Sequence, residues 1–259
     1  MSRPPRGGSF FGGPHRAVLH CAGAPRGFPM KRVLEGLTLF QRLAYPRHRE
    51  LFERLARNQK PQAVFIACSD SRVVPNLLVQ AEPGDLFILR NAGNIVPPHG
   101  AGAGGMIASL EYALFVLGIR DVILCGHSNC GAMKGILHPE ALDDLPSVRE
   151  WVKHAEPVRR ALAEAHAGVE GEALLDLAVE YNVICQVRNI LTYPRIRPLV
   201  ERSELELYGW VYDIATGRVK GLDASGRRFV PVGGEEKGSP DERHVLASVE
   251  SDEEFWEKL

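Results

Sequence analysis

Two short runs in this 259-residue chain carry side chains able to bind a metal and handle protons. Cys68-Ser69-Asp70-Ser71-Arg72 gathers a thiol, a carboxyl and a guanidinium. Gly126-His127-Ser128-Asn129-Cys130-Gly131 gathers an imidazole and a second thiol. Thiolate and imidazole are donors that zinc prefers, and a tetrahedral ion needs four of them. Cys68, His127 and Cys130 supply three. Water in the fourth place makes a catalytic site; Asp70, two residues from Cys68, is the other candidate and would close it. Metal-bound water yields hydroxide near neutral pH, a nucleophile otherwise scarce there. Two thiolates donate more charge than imidazoles, so its pKa is expected at or above the ~7 of a three-histidine site. Asp70 and Arg72 stand at i and i+2 and can pair if the loop curls. That pairing would keep Asp70 off the metal and leave its carboxylate to accept a hydrogen bond from the hydroxide.

Taken singly these residues say little. A cysteine at a strand end is usually plain core, a lone histidine often caps or fills, and His-x-x-Cys has many chance matches. A structural zinc with a carboxylate ligand is also open. Cys125 and Cys185 are expected in the core. Five cysteines, at 21, 68, 125, 130 and 185, form no disulfide framework and suit reduced thiols or metal ligands.

The runs need elements that bring them together. Ala63 to Ala67 (AVFIA), Leu86 to Leu89 (LFIL) and Val122 to Cys125 (VILC) are expected as buried strands, with a helix over Gly104 to Leu117 between the last two. A longer helix over Glu172 to Leu191 stops before Pro194. Alternating strands and helices imply an α/β fold, a largely parallel β-sheet flanked by helices. Each chemical run directly follows a strand, and loops beyond the carboxyl ends of parallel strands converge where ligands bind. Leu205 to Ile214 and Arg218 to Leu222, flanking Thr216-Gly217, are expected as a late hairpin.

Before the sheet, Val33, Leu34, Leu37 and Phe40 repeat at helical spacing within Lys31 to Ala44, and Pro46 opens a second helix through Arg57. These amphipathic helices are suited to pack on a partner subunit. Residues 1–29 hold Arg3, Arg6, Arg16 and Arg26 and no acid, so they are expected as a disordered or targeting extension. The domain is expected over 30–232. Residues 233–259 are expected as an acidic, flexible tail, with Phe255 and Trp256 as apolar anchors should it dock a partner. A net charge of −1 gives no footprint for nucleic acid. No run reaches the ~20 apolar residues of a membrane span, and the N-terminal residues lack the apolar central stretch of a secretory signal; the expected location is the cytoplasm.

CSDSR, then RNAGN, then GHSNCGA, in that order, resembles the β-class carbonic anhydrases, in their plant-type and bacterial inorganic-carbon-handling branch, from about Lys31 to Leu222. The resemblance implies one zinc per subunit on Cys68, His127 and Cys130, with Asp70 and Arg72 as catalytic dyad. It implies that the amide of Gln59 contacts bicarbonate. Phe87, Ala92 and Tyr112 would line an apolar pocket for CO2, the tyrosine reaching a neighbouring subunit's site. It further implies a homodimer or a dimer of dimers, with residence in a carboxysome or plastid as the alternative location. Phe65 stands where one subgroup has a tryptophan that helps hold inhibitory bicarbonate, so that switch is expected to be missing. Two other functions fit the same donors: hydrolysis of carbonyl sulfide or carbon disulfide, and a non-catalytic zinc-binding bicarbonate sensor.

Overall fold

The computed structural model describes residues 30–102 and 104–233. The expected extension over 1–29, with Cys21, and the acidic tail with Phe255 and Trp256 lie outside the described residues. The chain divides between Lys60 and Pro61 into two compact units.

The first unit is helical. Helix α1 (Met30–Leu39) gives way to a single π-helical turn (Phe40–Ala44), then to the short α2 (Tyr45–Arg47) and to α3 (Arg49–Leu55). One helix was expected to run through Ala44. Pro46 has no N–H to continue the ladder, and the backbone widens just ahead of it. The ring of Tyr45 stacks on Phe52 at 5.4 Å, and Phe40 meets Phe52 edge-on at 5.9 Å, so the turn is fastened by its own aromatics. Val33, Leu34 and Leu37, the apolar stripe that defines α1, are all exposed.

The second unit is a six-stranded sheet in the order β2-β1-β3-β4-β5-β6. Strand β1 (Ala63–Cys68) is followed by the short α4 (Pro75–Leu78), β2 (Leu86–Asn91) and α5 (Gly105–Phe115). Next come β3 (Asp121–His127), α6 (Gly131–Leu137), α7 (Pro146–Val152), α8 (Glu156–Ala165), α9 (Gly171–Leu191) and α10 (Arg197–Glu201). Strands β4 (Glu206–Tyr212), β5 (Val219–Leu222) and β6 (Phe229–Val232) close the sheet. The first four strands are mutually parallel; β5 and β6 add antiparallel. Both β1 and β3 are flanked by strands on either side, which is why they read as continuous apolar runs. Val64, Phe65, Ile66 and Ala67 have no exposed surface. Phe65 meets the Trp210 ring at 6.1 Å.

From β1 the chain goes out to β2 at the edge and returns past β1 to β3. The order therefore reverses at β1, and ligands bind in the crevice at the carboxyl ends beside such a reversal. Helix α9 lies close over this end of the sheet. A Cβ on Gly126 would sit 2.9 Å from Val183 Cγ2 and 3.1 Å from Val179 Cγ1, so the penultimate residue of β3 has to be glycine for α9 to approach this far. Strand β6 was not foreseen. It carries Pro231, which a central strand would reject and an edge strand accepts.

Candidate metal centre

Cys68 is the last residue of β1 and His127 the last of β3, and these are neighbouring parallel strands. Cys130 follows within one turn of chain, at the N-cap of α6. The two sulfurs and the imidazole nitrogen lie within 4.8 Å of one another, all three side chains being buried.

The imidazole is oriented for coordination. Nδ1 lies 3.0 Å from the Ser128 carbonyl oxygen, which can only accept, so Nδ1 carries the proton and Nε2 keeps its lone pair. Nε2 is buried and has no hydrogen-bond partner. Leaving such an acceptor unpaired costs about 1–3 kcal/mol, and a metal ion would remove that cost. The sulfurs point the same way. The Cys130 thiol donates to Cys68 and favours its thiolate, aided by the Gly93 N–H, which donates to Cys68 Sγ at 3.3 Å. That negative sulfur and burial then keep the proton on Cys130, although the Ala132 and Met133 N–H groups donate to its sulfur. Two adjacent buried thiols cannot both ionise without a cation between them. A soft divalent ion with bonds of about 2.0–2.3 Å fits this donor set.

Asp70 is gripped by Arg72. Nε donates to Oδ1 at 2.9 Å, Nη2 to Oδ2 at 2.7 Å, and the Arg72 backbone N–H to Oδ1 at 3.0 Å. These bonds hold the Asp70 carboxyl down at about 2. Oδ2 is 3.9 Å from His127 Nε2, beyond hydrogen-bond reach but on the face that Nε2 presents. Arg72 Nη2 also donates to the Asn129 carbonyl at 3.2 Å, tying the two chemical loops together.

Sequence reasoning left Arg90 without a role. Its Nε and Nη2 donate to the Cys68 carbonyl at 3.0 and 2.9 Å, and Nη2 donates to the Asp70 carbonyl at 2.7 Å. The guanidinium thus clamps the turn from ligand to carboxylate. Gly93 was missed as well. It adopts φ +81°, and a Cβ there would fall 2.7 Å from Ala132 Cβ. The visible signal for both was the RNAGN run, which takes in the last two residues of β2 and the turn beyond it.

The remaining candidates are dispersed. Phe87 and Tyr112 meet each other at 6.3 Å between ring centres. Phe87 is in register with Val64, four residues back from the Cys68 level, or roughly 13 Å along the strands. Ala92 is exposed, and its carbonyl accepts from Trp151 Nε1 at 2.8 Å. Gln59 is exposed and belongs to the helical unit that ends at Lys60. Cys125 and Cys185 are buried, and burial pushes the Cys125 thiol up to about 12.

Residues 63–219, which span both chemical loops, match the carbonic anhydrase family. The chain is 52% identical over 201 residues to a carbonic anhydrase of Pseudomonas aeruginosa, covering 78% of this chain and 91% of that one. This chain belongs to the carbonic anhydrase family. Within it, the solved structure of the β-carbonic anhydrase CcaA superposes with a TM-score of 0.78 at 47% identity, over 81% of this chain and 94% of that one. A tetrameric β-carbonic anhydrase of Sordaria macrospora gives 0.66 at 29% identity, over 74% and 96%. The fold and the enzyme class are therefore those of a β-carbonic anhydrase, and the Cys68, His127 and Cys130 group of this carbonic anhydrase can hold a metal. Among the described residues no helix is long and apolar enough to cross a membrane.

Proposed function

We propose that this chain catalyses CO2 + H2O ⇌ HCO3− + H+ at one zinc ion per subunit, held by Cys68, His127 and Cys130. The observation that carries the reading is a buried, unpartnered His127 Nε2 beside two buried cysteine sulfurs, with an ionised carboxylate 3.9 Å away. Zinc so held acts as a Lewis acid that makes water a nucleophile near neutral pH. The residues of the chain do the rest. Asp70 accepts a hydrogen bond from the attacking water and fixes where its lone pair points. Arg72 keeps that carboxylate ionised and turned to its own guanidinium, so Asp70 would not itself become a ligand of the ion. Arg90 and the Gly93 N–H hold the Cys68 turn still during the reaction.

Carbon dioxide is small and has no net dipole, so apolar walls suffice to admit it, while bicarbonate needs a donor. Gln59 is assigned that donor role, and Phe87, Ala92 and Tyr112 the walls. The register of Phe87, well back from the level of Cys68, and its contact with the Tyr112 ring support their serving a neighbouring copy's site. With it goes a homodimer or a dimer of dimers, as in the tetrameric Sordaria relative. The catalytic domain is taken as 30–232, and the working location as the cytoplasm.

Stopped-flow CO2 hydration by purified protein, with metal content measured on the same sample, tests this. Zinc-dependent hydration is expected. Turnover of carbonyl sulfide or carbon disulfide without CO2 hydration would reassign the substrate, and bound zinc with no turnover would leave a sensor.

A further inference from the structure

The buried face of helix α9 is mostly apolar, yet three amide side chains interrupt it, Asn182, Gln186 and Asn189. Asn182 and Gln186 are almost fully buried. Spaced i, i+4 and i+7, they share one face of the helix. Buried amides are costly unless paired. Gln186 Nε2 donates to Asn182 Oδ1 at 3.0 Å, and Asn189 Nδ2 to Gln186 Oε1 at 3.0 Å. Apart from a longer bond from Asn189 Nδ2 to the His154 carbonyl at 3.4 Å, the remaining bonds of the ladder go to one segment, the backbone just after β2. Asn182 Nδ2 donates to the Gly93 carbonyl at 3.0 Å, the Val96 N–H to Gln186 Oε1 at 2.9 Å, and Asn189 Nδ2 to the Val96 carbonyl at 2.8 Å. Just beyond the helix, Tyr193 Oη donates to the Pro97 carbonyl at 2.8 Å and the His99 N–H to Thr192 Oγ1 at 2.7 Å.

That segment has one chemical output. Gly93, whose carbonyl Asn182 holds, turns its own N–H onto Cys68 Sγ at 3.3 Å. With φ +81° and no room for a Cβ the position admits only glycine, and glycine's wide freedom means that its neighbours must fix where its N–H points.

We propose that Asn182 and Gln186 are positioning residues for the metal: through Gly93 they aim a backbone donor at the Cys68 sulfur and so set how tightly the ion is held. The inference rests on the zinc reading above. Hydrogen-bonded neighbours of metal ligands typically change affinity by roughly 10–100-fold when removed, and the chain Gln186–Asn182–Gly93–Cys68 makes the same kind of contact from one step further away.

The test is zinc affinity by chelator competition on the full chain, together with the sulfur-to-metal charge-transfer band of the cobalt(II)-substituted protein. Asn182→Ala is expected to weaken zinc roughly tenfold or more and to shift the cobalt band. Gln186→Leu should do so in the same direction and decides the matter if Asn182→Ala does not fold. Leu175→Ala, a buried apolar truncation about two turns earlier in α9, should lower thermal stability while leaving affinity and band as in the wild type. Folded ladder variants with wild-type affinity and spectrum would overturn the proposal, as would equal loss in Leu175→Ala. Failure of the wild-type chain itself to bind zinc would instead remove the metal reading, and this inference with it.

Discussion

Asp70 gives both carboxylate oxygens to Arg72, so it can reach the metal place only by surrendering two charge-assisted bonds. Asp70→Asn keeps the shape but loses the charge. It is expected to retain zinc and to lose about a hundredfold or more in CO2 hydration; full activity would remove Asp70 from the mechanism. Arg90→Leu strips the donors from the Cys68 and Asp70 carbonyls. Activity is expected to fall with little change in fold, read as unaltered far-ultraviolet circular dichroism beside a reduced kcat/KM. The metal-capable group and the Asp70–Arg72 pair were legible because thiol, imidazole and carboxyl announce their chemistry by type. Arg90 was not. An arginine ending an apolar strand looks like a solvated charge until the carbonyls opposite it, 20 and 22 residues away in sequence, are seen.

At the scale of elements, the sheet was readable wherever burial made apolar runs. β1 and β3 emerge close to their expected limits, and the late hairpin falls at Thr216-Gly217. The π turn before Pro46 and the edge strand β6 were not readable, since neither has a periodic apolar signature. The polar ladder on α9 was hidden for another reason: its partners lie about ninety residues upstream, and sequence spacing does not report contacts that distant. Close packing of α9 on β3 makes a separate prediction. Gly126→Ala puts a Cβ 2.9 Å from Val183 Cγ2 and should destabilise by about 1–3 kcal/mol in urea titration. Val183→Ala in the same chain should restore part of the loss, because the two sites touch. An unchanged midpoint in the single variant would mean that α9 sits further off than it does here.

For the whole molecule, one chain leaves apolar surface that water should not see. Val33, Leu34, Leu37, Leu39, Phe40 and Leu43 in the helical unit, and Leu77, Tyr112 and Val116 in the sheet unit, are between 41% and 68% exposed. Patches of this kind mark interfaces. Light scattering is expected to give a mass that is a multiple of the 28.5 kDa chain, at least two; a stable monomer with full activity would contradict the shared-site reading of Phe87 and Tyr112.

Zinc-edge X-ray absorption on the purified enzyme addresses the coordination itself. The account predicts two sulfur neighbours at about 2.3 Å and two nitrogen or oxygen neighbours near 2.0 Å. A zinc shell without sulfur, or no zinc taken up at all, would contradict it.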